Sequence, residues 1–120
     1  MTVETNETCR LIASNKVEGT AVYNHEGEKL GAIYNFMVDK RSGQVEYAVL
    51  QFGGFLGIGS DYYPLPWQVL TYHESEGGYV IDLDKETLNE APRYAANAEP
   101  DFDETYGRQV HQFYGLTYPY

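Results

Sequence analysis

The stretch QFGGFLGIGSDYYPLPW, from Gln51 to Trp67, sets four glycines (Gly53, Gly54, Gly57 and Gly59) around Phe55, Leu56 and Ile58. Glycine-rich loops hold phosphate through backbone N–H groups, so nucleotide binding is the first chemistry to weigh. The pattern does not fit it. A P-loop needs a Lys and then a Ser or Thr after its last glycine, and neither stands at its position here, where Gly59 is followed by Ser60 and Asp61. The dinucleotide fingerprint is G-x-G-x-x-G opening a helix, whereas the order here is G-G-x-x-G-x-G and a proline-containing segment follows. Asp61 adds negative charge where phosphate would sit. The glycines read instead as a tight crossing between strands, because glycine permits positive φ and close backbone approach. Phe55, Leu56 and Ile58 are expected to be buried in the chain or against another copy, since exposing all three would create an apolar patch that monomers avoid.

Other reactive residue types are scattered. His25 falls in a turn, His73 ends a strand beside Glu74 and Glu76, and His111 lies in a C-terminal helix. No two are at ligand spacing and no cysteine cluster exists, so neither a metal nor a cofactor is expected. Asp82 and Asp84 are two apart on one strand face, close enough to share a site. Outward-facing acids, with Asp84 capping the next helix, explain them more simply. Cys9 is the sole cysteine and has no partner base nearby. There is no G-x-S-x-G motif and no Cys/His pair. No catalytic residue is assigned, and the chain is expected not to be an enzyme.

At 120 residues there is room for one domain with a single modest core. The net charge is −10, from 18 acidic and 8 basic residues, and Lys40-Arg41 is the only adjacent basic pair. Such a chain is repelled by phosphate backbones and anionic lipid, so neither nucleic acid nor direct membrane insertion is expected. No apolar run approaches the roughly 20 residues of a membrane helix. The start MTVETNETCR has no signal-peptide character, so a cytoplasmic location is expected.

The elements that must position these residues are mostly strands. Residues 1–10 read as a disordered leader, 11–94 as the domain, and 95–120 as a linker and helical extension. Ala32 to Lys40 alternates, and a polar hairpin ending in Ser42-Gly43 follows. Val45 to Phe52 is the strongest strand. Its two faces, Val45/Tyr47/Val49 and Glu46/Ala48/Leu50/Phe52, are both largely apolar, so something must cover the second. Pro64 and Pro66 lie two apart on a strand and imply a sheet edge or bulge. Two further strands, Gln68 to His73 and Tyr79 to Leu83, precede a short helix near 85–90. A C-terminal helix begins near Pro100, ends at Gly115 and carries Phe102, Tyr106, Val110, Phe113 and Tyr114 on one face.

GEKLGAI, the Asp39-to-Gly43 hairpin, YAVLQFGGFLGIG, PLPW and YVIDLDKETLNEAP, in this order, resemble the PRC-barrel domain over roughly residues 17–93. That domain is shared by the cytoplasmic part of the H subunit of photosynthetic reaction centres and the C-terminal part of the ribosome maturation factor RimM. The aromatic extension YGRQVHQFYG is similar to that of stand-alone bacterial members. The resemblance implies an all-β fold, a small, strongly bent barrel of six antiparallel strands, and a docking role rather than catalysis.

The resulting expectation is a non-enzymatic interaction module that self-associates, with a dimer favoured, and docks onto a protein partner. Phe55, Leu56, Ile58, Trp67, Tyr106, Phe113 and Tyr114 are its candidate contact residues. Two alternatives remain open at this level. One is a carrier for an aromatic, quinone-type molecule lined by Trp67 and tyrosines. The other is a ribosome-assembly factor binding a basic ribosomal protein.

Overall fold

The structure, a computed structural model, describes residues 10–52 and 60–120. The leader and the loop carrying Phe55, Leu56 and Ile58 lie outside the described residues. A short helix, α1 (Ser14–Val17), leads into β1 (Ala21–Tyr23), β2 (Lys29–Val38), β3 (Val45–Phe52) and β4 (Asp61–Pro66). A single 3-10 turn (Trp67–Val69) follows, then β5 (Thr71–His73), β6 (Gly78–Val80), α2 (Lys85–Leu88), β7 (Tyr94–Ala95) and α3 (Glu104–Phe113). The mainly β character, the short helix and the C-terminal helix all match the sequence reading.

Polar side chains make the connections. The buried Asn24 turns β1 into β2: its Oδ1 accepts from the N–H groups of Glu26 and Glu28, at 3.0 and 2.9 Å, and its Nδ2 donates to Glu28 Oε1. Asp39 does the same between β2 and β3, where its Oδ1 accepts from the N–H groups of Arg41 and Ser42, each at 2.8 Å. Gly43 completes that hairpin at φ 78°, in the left-handed region where a side chain is strained. Asp84 caps α2 by accepting from Thr87 N–H at 2.7 Å, as expected, and both Asp82 and Asp84 are exposed.

One sheet runs in the order β5-β6-β1-β2-β3-β4-β7. Every neighbouring pair is antiparallel except β1 and β6, which are parallel. This corrects the expectation of six antiparallel strands in a barrel. Seven strands form a mixed sheet, and among the described residues no ladder joins β5 to β7. The parallel pair arises because β6 meets β1 only after the chain has built β2 to β5, and residue alternation carries no information about strand direction. The seventh strand is two residues long, too short to leave a periodic signal. The expected strand from Gln68 to His73 is shortened to β5 because Trp67–Val69 closes a 3-10 turn.

Bulges bend the sheet. Leu30 is skipped in the pairing of β2 with β1, Tyr34 in its pairing with β3, and Glu46 is the skipped residue on β3. Each extra residue increases local twist and re-aims a side chain. The curvature lets one interior collect Val22, Leu30, Ile33, Leu50 and Leu65 from four strands and Leu88 from α2, all between 0 and 1% exposed. Burying each such aliphatic side chain stabilises the fold by about 1.5–3 kcal/mol.

Gly31 is where the curved strands approach most closely. A Cβ there would collide with the backbone carbonyl oxygen of Gln51 on β3, which the ladder holds in place. Gly31→Ala is expected to lower stability by roughly 1–3 kcal/mol in urea denaturation, an overpacking penalty.

Candidate functional site

β3 buries both of its faces. Ala48 and Leu50 point into the main core, while Tyr47 and Val49, 4% and 0% exposed, point to the opposite side. That second side is covered by the chain's own C-terminal segment. The Phe102 and His111 rings each stand 5.5 Å, edge to face, from the Tyr47 ring. Further rings continue across the sheet: Tyr34 to Tyr62 at 4.7 Å, Tyr62 to Tyr94 at 5.7 Å and Tyr94 to Phe102 at 6.2 Å.

α3 starts later than its proline suggests. Asp103 is the N-cap, its carboxylate accepting from Tyr106 N–H at 2.9 Å, so Pro100 and Phe102 precede the helix. Its buried stripe is Gly107, Val110 and His111. Without a side chain at Gly107 the helix comes close to the Tyr47 hydroxyl and to the Tyr118 ring, either of which a Cβ would strike. The carbonyl of Gly107 can only accept, so His111 Nδ1, at 2.8 Å, is the donor. Its Nε2 is buried and has no hydrogen-bond partner. The tail folds back over it, with the Tyr118 and Tyr120 rings at 5.3 and 6.3 Å. Gly115, at φ 75°, ends the helix: its own N–H bonds Gln112 O and that of Leu116 bonds His111 O, a Schellman stop.

The candidate contact residues that are described, Trp67, Tyr106, Phe113 and Tyr114, are thus dispersed among intrachain contacts. Trp67 stands edge-on to Phe36 at 6.1 Å and to Tyr79 at 5.6 Å, packed on the main core. Phe113 and Tyr114 also pack against that core, and Tyr106 meets Phe102 at 5.2 Å. The helical pattern identified Val110 and Tyr114 on the inward side. It missed Gly107 and His111 because neither residue registers as apolar, although 107, 110, 111 and 114 follow the i, i+3, i+4, i+7 spacing of one helix face.

One open groove, of about 230 Å³, lies at the base of the β2–β3 hairpin and is lined by Met37, Val38, Asp39, Glu46, Tyr47 and Phe102. Adjacent residues of a regular strand point to opposite sides. Glu46 and Tyr47 share this groove, and the bulge at Glu46 is the cause. Partial burial raises the Glu46 carboxyl above its usual range, the charge of Asp39 raises it further, and His111 opposes both. Among the described residues no group of three or more His, Cys, Asp or Glu is placed to hold a metal ion. None of the described helices is long and apolar enough to cross a membrane.

The PRC-barrel domain model matches residues 10–88. The chain belongs to that family. The matched stretch runs from the approach to α1 through α2, so β7 and the segment carrying Phe102 and His111, whose rings cover Tyr47, lie beyond it. No curated protein matches the chain. Among solved structures, this PRC-barrel protein is similar to a 16S ribosomal RNA processing protein, RimM, from Pseudomonas aeruginosa, at 16% identity and a TM-score of 0.41. That alignment covers 69% of this chain and 50% of the other, so the chain spans half the length of that relative.

Burial raises the phenols of Tyr47, Tyr94 and Tyr114 well above the ordinary value and that of Tyr106 to about 12. A phenol raised on folding favours the native state fully below the unfolded value, about 10, and that contribution is lost as pH climbs through the folded value. Stability measured by denaturant at stepped pH is therefore expected to fall once pH exceeds about 10. Deleting residues 117–120 uncovers Tyr47 and is expected to bring part of the phenol ionisation, followed by ultraviolet absorbance, down toward about pH 10.

Proposed function

We propose that this PRC-barrel protein is a non-enzymatic protein-interaction module that associates with itself, as a dimer. The observation that carries this reading is the exposure of two apolar side chains on one strand. Tyr34 and Val38, 49% and 46% exposed, both project from the half of β2 that runs past β1 and pairs with β3 alone. Tyr34 rests on the buried Tyr62, which braces it and lowers the entropy cost of contact. The same patch on two copies can meet about a twofold axis, the commonest arrangement for soluble oligomers.

The polar residues that could have served catalysis are engaged in structure: Asp39 and Asn24 hold turns, while Asp84 and Asp103 cap helices. Trp67, Tyr106, Phe113 and Tyr114 support the surface from within, and Phe55, Leu56 and Ile58 retain the contact role assigned from sequence. The open groove, bordered by two carboxylates, is a poor lining for an uncharged quinone-type ligand and supports the interaction reading over the carrier.

Sedimentation velocity over a range of concentrations tests the reading. The native chain is expected to dimerise, and Tyr34→Ser with Val38→Ser to shift it to monomer with its circular dichroism unchanged. A strict monomer at every concentration rejects it.

A further inference from the structure

The groove at the base of the β2–β3 hairpin has two carboxylates and no cation. Asp39 accepts from the backbone N–H groups of Arg41 and Ser42 through Oδ1, and its carboxyl also takes the Ser42 side chain. Glu46 reaches the same groove only because the bulge turns it away from the interior and to the side of Tyr47. Two like charges brought together in a partly dry site repel each other. His111 opposes that repulsion at Glu46, but neither carboxylate is in an ion pair among the described residues, where the pairs are Arg93–Asp61 and Arg108–Glu104. The remaining lining, the rings of Tyr47 and Phe102 with Met37 and Val38, suits the aliphatic stem of a long basic side chain and the cation–π contact of its head.

A cation of this description stands immediately beside the groove on the same hairpin. Lys40-Arg41, the only adjacent basic pair in the sequence, is exposed at the hairpin tip, and neither residue makes an ion pair with Asp39 or Glu46 of its own chain. An isologous interface requires one patch to be complementary to itself. An acidic, ring-lined groove next to an exposed basic pair, on the strand that carries Tyr34 and Val38, meets that requirement. We propose that in the dimer the Lys40-Arg41 pair of each copy enters the Asp39/Glu46 groove of the other, reciprocally about the twofold axis. This rests on the self-association proposed above and names the contact that fixes its register.

Charge complementation tests it. Lys40→Glu with Arg41→Glu makes tip and groove both acidic; Glu46→Lys sets a cation against Asp39 and removes the groove's net negative charge. Each variant alone is expected to dimerise at least about tenfold more weakly than the native chain, and native dimerisation to weaken with added salt. An equimolar mixture should restore part of the dimer, because the basic tip of the Glu46→Lys variant then meets the acidic groove of its partner. Circular dichroism checks folding, and Glu46→Gln, a smaller change, should weaken dimerisation in the same direction if Glu46→Lys does not fold. A native dimer that ignores these substitutions, or folded variants that stay monomeric when mixed, overturns the groove assignment while leaving self-association intact. A native chain that is monomeric throughout overturns both.

Discussion

A strand that is apolar on both faces cannot be left half-covered, and β3 imposes that constraint on everything around it. Val45 to Phe52 has no polar side to give to water. Its inner face, Ala48 and Leu50, is covered by the curvature of the sheet itself. Its outer face, Tyr47 and Val49, needs a second layer, and the chain provides one from the segment after α2. The bulges of β2, the linker that crosses to α3 and the aromatic content of the C-terminus all serve the double burial of one strand.

The outer layer is made of rings where an ordinary core would use aliphatics, and this has a physical rationale. A helix laid on a twisted sheet leaves uneven gaps. Flat rings in edge-to-face contact fill such gaps and add about 0.5–1.5 kcal/mol per pair beyond the area they bury. Gly107 lets the helix descend to the Tyr47 hydroxyl, and the tail returns over His111 to close the opening. The layer has one polar cost: the Nε2 of His111 and the hydroxyls of Tyr106 and Tyr114 are buried without a hydrogen-bond partner.

Much of this was legible in the amino-acid sequence, and the failures share a cause. The two-sided β3, the Asp39 hairpin, the Asp84 cap and the Gly115 stop could be read because each depends on residues close in the chain. The family could be read from the order of such local features. The parallel pairing of β1 with β6, the two-residue β7 and the Glu46 bulge could not, because each depends on which distant segment lies alongside. The intrachain packing of Trp67, Tyr106, Phe113 and Tyr114 was not legible for a related reason. Aromatic side chains on a terminal helix look the same in sequence whether they await a partner or already have one in their own chain. The groove combines both levels: its acids are plain in the sequence, but only the bulge brings Glu46 to the side of Tyr47.

The prolines of β4 have a further consequence. β7 pairs with β4 only at Asp61 and Tyr62, so the stretch through Pro64 and Pro66 borders the sheet on that side, and both prolines are fully buried. Proline offers no N–H to an incoming strand, and at the opposite border β5 is three residues long, followed by the acidic turn containing Glu74 and Glu76. Neither border is a template for adding strands from other molecules. At these two borders, growth into fibrils by edge-to-edge stacking is thereby disfavoured.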